Sequence, residues 1–458
     1  MKLGWFCLIL TTALAAPAVA GCGSEPTSGR FLAYTIRPVI ADDGLSLDVT
    51  VSFRLPGAKS TGLVLPSEWQ GQKDLYKAVH DLEVLSRGTF LQQGETPWSR
   101  KVTFPIGQIV RLHYRVTKDW DGKIDASSYF RVMLNRSYFQ VSGRNFLVYP
   151  ELPDDETLPM LLEWKDLPAQ WSAVDSFAGT ATCQSLTTRI IKLSNGLFAG
   201  GEMRTMKLTV DGHPAYFVSR GSWKFADSAF SEIAQKILAT EREFWGDTNI
   251  PNYVVTLLPS DDTPGNYGGI ALEDSFALFM SNQTALDFDT KFLLAHEMFH
   301  SWNAAKLGEI HEETPYWFTE GFTDYYARAL LLRAGLISEE EYTRDINSLY
   351  GEYLGSRVLH VSGRIARERF LSDPDIQRLA YLRGDFLALR WDQLIRHRSG
   401  GKESLDTAMR ALFQDAGRKE LVLTNGFLSS YFGSYLGSEG SRDVQKYVED
   451  GETIPLSK

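Results

Sequence analysis

Residues 296–300 read His296-Glu297-Met298-Phe299-His300, and residues 317–324 read Trp317-Phe318-Thr319-Glu320-Gly321-Phe322-Thr323-Asp324. Two histidines four apart on a helix point the same way and can share one tetrahedral ion. Glu320 supplies a carboxylate as third ligand, and Glu297 lies beside the fourth position, where it can take a proton from water on the metal. The chain has 8 His, so this pattern would arise by chance in about one such chain in a hundred. The spacing implies one Zn2+ ion held by His296, His300 and Glu320.

The surroundings carry the motif on helices. Residues 288–305 read as one helix, with Phe292, Leu293, Ala295, Phe299 and Trp302 giving it apolar faces. Pro315 stands where a second helix would start, and Tyr316–Ala334 continues helically. Asp324 is one turn beyond Glu320 and faces the same way. It is the partner expected for the second ring nitrogen of a ligating histidine. A structural, closed site would need a fourth protein ligand; His311 and Cys183 are the nearest conceivable donors.

The rest of the chain reads as α+β. Over 30–220, short β-branched and aromatic runs predict strands at Phe31–Ile40, Leu45–Leu55, Arg100–Phe104, Ile109–Val116, Tyr129–Leu134, Ile190–Leu193, Met206–Val210 and Ala215–Val218. Asp42-Asp43-Gly44 suits a hairpin turn, and Leu75–Leu85 reads as a short helical or irregular excursion. This is a β-sandwich-like N-terminal domain. Residues 221–458 begin with a helix at Ala226–Gly246, a strand at Tyr253–Leu258 and a glycine-rich strand segment at Gly265–Met280. Helices dominate from there on, at 338–355, 374–397 and 402–415 among others. A mixed lobe followed by a helical lobe, with zinc between them, is a thermolysin-like plan. With 458 residues, 43% of them hydrophobic, the chain can fill two or three cores. The net charge of −10 and the lack of a Lys/Arg stripe argue against nucleic acid as a partner.

Residues 1–21 form a targeting segment: Lys2, then an apolar run from Leu3 to Ala16 that is short for a membrane span. Ala18-Val19-Ala20 resembles a signal-peptidase site, and Val19-Ala20-Gly21-Cys22 resembles a bacterial lipobox with Cys22 as the lipidated residue. Residues 22–29 suit a flexible tether. Both readings export the protein, either periplasmic or anchored through Cys22 to a membrane, the outer one by the absence of Asp after Cys22. The third cysteine, Cys183, is left without a partner if Cys22 is acylated.

Taken together, these motifs resemble the glycyl aminopeptidase family, gluzincin metallopeptidases that commonly carry a C-terminal PDZ domain. His296-Glu297-Met298-Phe299-His300-Ser301-Trp302-Asn303 matches its His-Glu-Phe-Phe-His-x-Trp-Asn element. Residues Trp317 to Tyr326 match its Trp-x-x-Glu-Gly-x-Thr-x-Tyr-Tyr element, and Tyr381-Leu382-Arg383-Gly384 resembles its Tyr-x-Lys-Gly element. The resemblance implies a zinc-dependent, aminopeptidase-like enzyme acting on peptides or proteins. Glu297 would be the base and then the proton donor, and Tyr381 would bond the developing oxyanion. Asn303 and Trp302 would shape the floor of the site.

Two departures stand out. The family's Tyr-Gly-Gly-Leu-Glu-His strand reads Tyr267-Gly268-Gly269-Ile270-Ala271-Leu272-Glu273 here. Gly268 and Gly269 would let a substrate backbone approach an edge strand. The family's glutamate, which pairs with the substrate α-amine, is Ala271. Glu273 returns to the same face two residues on and is either its substitute or a surface charge. The chain also ends where the PDZ domain would begin, so no PDZ-mediated partner is expected. Endopeptidase action, and a zinc-containing peptide-binding protein without turnover, stand as the other readings.

Overall fold

The computed structural model describes residues 25–456 apart from 27, 43, 154–155, 248–251, 304, 309–314 and 419–420. The leader and Cys22 therefore lie outside the described residues, as does His311. No described helix is long and apolar enough to cross a membrane.

The N-terminal part is built from three sheets. The largest has six strands in the order Cys183–Arg189, Thr157–Trp164, Phe31–Ala41, Gly44–Arg54, Val110–Val116 and Val79–Val84. Its pattern is that of a half-buried strand: Val110, Leu112, Tyr114 and Val116 are buried while Arg111 and Arg115 face out. Two four-stranded sheets close over it and share its core. The first two strands pair antiparallel as a hairpin, with Ala41 opposite Gly44.

A five-stranded mixed sheet follows, in the order Arg204–Val210, His213–Ser219, Tyr253–Pro259, Ser275–Met280 and Tyr267–Leu272. The hairpin 204–219, grouped above with the β-rich region, thus pairs into this sheet. Strands Tyr253–Pro259 and Ser275–Met280 are buried almost throughout, as expected for strands covered on both faces. Val255, Leu257, Phe276, Leu278 and Met280 pack toward the helical lobe. Val254, Leu258, Ala277 and Phe279 pack toward the β-rich lobe, against Tyr129, Tyr138 and Val174. One sheet therefore serves two cores through its period-two alternation. Strand Tyr267–Leu272 lies at its edge.

The helices on the other face start where their caps predict. Asp287 caps the motif helix Phe288–Phe299, Ser338 and Glu341 form a capping box before Glu339–Gly355, and Asp373 with Pro374 opens the long helix Pro374–Ser399. The motif helix is shorter than predicted, because His300 caps it and residues 301–303 and 305–306 lie in turns. Residues 316–333 are helical as expected, with bonds from Glu320 N–H to Tyr316 and from Asp324 N–H to Glu320 running through the junction. Near the centre of the long helix, Gly384 packs on Trp317 O and on Gly321. No Cβ fits there, and this close approach sets the distance between Tyr381 and Glu320.

Three expectations fail locally. Ile190–Ser194 is a helical turn rather than a strand, because burying Ile190 and Leu193 in the core outweighs their β propensity. Of Tyr129–Leu134 only Met133 and Leu134 are strand, in Met133–Asn135; Tyr129 instead reaches the mixed sheet, stacked on Phe279 with ring centroids 4.3 Å apart. Residues 75–85 divide into a turn of tight helix, Leu75–Ala78, and a strand, Val79–Val84. Cys183 is disulfide-bonded, which corrects the expectation of a partnerless thiol and removes it as a metal ligand.

Gly384→Ala should force the helix carrying Tyr381 away from Trp317. The expected cost is about 3 kcal/mol of stability, read as a lowered midpoint in denaturant unfolding.

Candidate metal centre

The motif helix and the helix that follows Pro315 bring three ligand atoms together. His296 Nε2 lies 3.0 Å from His300 Nε2. Glu320 Oε2 lies 3.5 Å from the first and 3.3 Å from the second. Zinc bonds of about 2.0–2.1 Å at tetrahedral angles place ligand atoms about 3.3 Å apart. The triangle fits that geometry, and among the described residues it is the one group of His, Cys, Asp and Glu close enough to share an ion.

Each histidine is held by its other ring nitrogen. His296 Nδ1 pairs with Asp324 Oδ1 at 2.8 Å, and His300 Nδ1 with the Asn303 carbonyl at 3.3 Å. Both donate from Nδ1, which leaves Nε2 free for a metal. Asn303 does more than its backbone bond. Its buried amide donates to Thr323 Oγ1 at 2.9 Å and to the carbonyls of Phe318 and Thr319 at 3.3 Å. One residue thus fixes His300 and ties it to the turn that presents Glu320.

A further layer was not foreseen. Arg328, one turn after Asp324, is fully buried. It donates to Asp345 at 2.7 Å and to Asp385 at 3.1 Å, and its ring partner is Phe292, 5.4 Å away. Its charge also faces Asp324. The i, i+4 spacing of Asp324 and Arg328 was the available signal. Glu241 is also buried, within electrostatic reach of His296, and makes no hydrogen bond among the described residues; its sequence carried no sign of this.

The electrostatics suit a cation. Burial lowers the His296 pKa, but hydrogen bonds to Asp324 and Glu320 outweigh it and leave the value well above the ordinary one. Burial raises Glu320, yet the two histidines bring it far below the usual carboxylate range. Burial pushes Glu297 up, only partly offset by the histidines. Tyr381 is raised by burial and then by the charge of Glu320. Its ring lies 5.9 Å from that of His296.

The edge strand passes over Glu297. A Cβ at Gly269 would meet Phe276 and, at 2.9 Å, Glu297 Cγ. Gly268 is packed against the Tyr129 ring. Both glycines are thus required by the protein's own side chains, one on each face of the strand. Glu273 is not brought to the centre. It lies past the strand end and pairs with Lys192 of the β-rich lobe, roughly 13 Å along the strand from Gly269 at about 3.3 Å per residue.

The sequence profile of the M61 glycyl aminopeptidase family matches residues 290–362. A search of curated proteins finds no match. Among solved structures the chain is similar to an aminopeptidase N family protein from Idiomarina loihiensis, at 20% identity and a TM-score of 0.76 over 93% of this chain and 77% of that one. An M1 zinc metallopeptidase from Deinococcus radiodurans aligns at 16% identity and 0.58 over 94% and 95%. Yeast LTA4 hydrolase in complex with bestatin aligns at 15% and 0.58 over 93% and 68%. The chain has the fold of the M1-type zinc metallopeptidases, a β-rich domain followed by a mainly helical one. Within it lies a His/His/Glu cluster of the gluzincin type.

Asp324→Asn should weaken zinc binding about 10- to 100-fold, measured by competition with a chromophoric chelator. Because its partners raise His296, protons compete with the metal to higher pH than at an ordinary histidine. Zinc affinity should therefore rise with pH through the neutral range, and zinc uptake should release protons, seen as a buffer-dependent calorimetric enthalpy.

Proposed function

We propose that the protein is an exported zinc-dependent metallopeptidase that hydrolyses peptide bonds in an aminopeptidase-like manner. The observation that carries this is the ligand triangle of His296, His300 and Glu320 with Glu297 directly beside it. A zinc ion held there would polarise the scissile carbonyl and acidify a water molecule.

The chain's own groups supply the rest. Glu297 takes the proton of the attacking water and passes it to the departing amine. Its burial-raised pKa keeps it strong enough as a base and still able to give the proton back. Tyr381, kept protonated by burial and by Glu320, donates its hydroxyl hydrogen to the carbonyl oxygen as negative charge builds there. Asp324, Asn303 and Arg328 hold the ligands in place. The free edge of Tyr267–Leu272 offers backbone groups for an extended substrate, beside Gly268 and Gly269.

A second reading, endopeptidase action, is favoured by one position. Ala271 provides no carboxylate for a substrate amine, and Glu273 is engaged with Lys192. Export is supported by the N-terminal segment and agrees with a disulfide at Cys183. The other cysteines are Cys7 and Cys22. Export takes one of two forms, simple secretion or a lipid anchor at Cys22. The mass of the mature N-terminus decides between the two.

Glu297→Gln should lower peptide hydrolysis by about 100-fold or more, and a chelator should abolish it reversibly. Turnover that survives both would remove zinc-assisted hydrolysis. Matched peptides with free and acetylated N-termini separate the two modes: an aminopeptidase fails on the acetylated member.

A further inference from the structure

Three loops of the β-rich lobe, 55–59, 85–89 and 104–109, meet at one end of its sheets. Backbone and side-chain bonds lace them together. Leu85 N–H donates to the Arg111 carbonyl and Phe104 N–H to the Lys59 carbonyl, both at 2.9 Å. The Gln108 amide donates to the Arg87 carbonyl and Arg54 Nε to the Gly107 carbonyl, again at 2.9 Å. The adjoining strands extend this surface. Phe90 stands opposite Thr103 and Gln92 opposite Lys101, so Phe90 and Lys101 share one face. Three large apolar side chains project from the surface: Phe90 is 67% exposed, Ile106 61% and Leu85 52%. One such residue is ordinary on a protein surface, but three on adjoining segments point to a partner.

The charge around them is one-sided. The chain has 57 Asp and Glu against 47 Lys and Arg, yet none of these acids lies in 49–67, 84–94 or 99–118. Lys59, Arg87 and Lys101 are exposed and make no ion pair among the described residues. They come from three separate segments, so the fold assembles a basic surface that forms no stripe in the sequence. Glu25, which follows the targeting segment, pairs with Arg111 at this same end. A chain held at its N-terminal end would therefore present this face to the membrane.

We propose that this end of the β-rich lobe is a docking surface for bilayers of anionic phospholipid. Leu85, Phe90 and Ile106 enter the headgroup boundary, while Lys59, Arg87 and Lys101 meet the lipid phosphates, their stems lying along apolar surface. An acidic peptide or polymer would pair with the charges but leave the apolar tips in water. The surface contains none of the residues of the metal centre, so the proposal holds or fails apart from the peptidase reading.

The test follows amide hydrogen exchange by mass spectrometry in the whole protein. It compares vesicles of phosphatidylcholine alone with vesicles that also contain phosphatidylglycerol. This readout is local, so it reports on the surface whether or not the N-terminal segment also holds lipid. Anionic vesicles should slow exchange in 85–90 and 104–109 and leave the helical lobe unchanged. The lipid concentration giving half of that protection should rise about tenfold or more in Lys59→Glu/Arg87→Glu, and likewise in Phe90→Ser/Ile106→Ser. The two variants change different exposed residues, so if one does not fold the other still decides. No protection of these segments, equal protection by both kinds of vesicle, or protection that survives the substitutions overturns the docking surface. Soluble polyglutamate that protects the segments as well as anionic vesicles do also overturns it, and makes the surface a face for an acidic partner.

Discussion

The hydrogen bond between His296 Nδ1 and Asp324 Oδ1 is the contact on which the centre depends. It joins the helix that carries two ligands to the helix that follows the third. It also fixes which nitrogen of His296 faces His300 and Glu320. Its acceptor is a buried carboxylate, which needs compensation, and Arg328 supplies it one turn away while spanning to Asp345 and Asp385. Three helices are thereby held by one buried cation. The ligand triangle is the visible end of a charge network that runs through the helical lobe.

The mixed sheet has a comparable role at larger scale. Because its central strands are apolar on both faces, it must be covered twice, by helices on one side and by the β-rich lobe on the other. Contacts across the second interface are specific as well as apolar. Ser176 and Ser275 hydroxyls pair at 2.9 Å, and Asn252 donates to the Ser176 carbonyl at 2.7 Å. The N-terminal lobe is therefore part of the wall of the site, and Tyr129 is the residue that brings it there.

Residues whose spacing encodes their geometry could be read directly. His296, His300, Glu320 and Asp324 lie on helices, where a separation of four fixes a shared face, and their convergence needed one further fact, the turn at Pro315. Strands with strong alternation, such as Val110–Val116, were equally plain. Contacts between distant segments were not. Nothing in Tyr129 or Lys192 announces a partner in the other lobe, and Glu273 was placed by that partner rather than by strand parity. Ile190–Ser194 shows the same limit at short range: its β-branched residues fit either state, and the core decided. The helix Asn425–Leu436 and the turn of helix at Gly363–Arg369 went unread because their sequences are short or weakly patterned.

Gly268 and Gly269 carry a consequence for what can be recognised. Both faces of the edge strand at this point are filled from within, by Tyr129 on one side and by Phe276 and Glu297 on the other. On the peptidase reading, a peptide would join only along the strand's open border, with its own main chain laid out straight. Selection at this step is by shape before chemistry: a chain already coiled into a helix or folded into a domain has no spare backbone to offer.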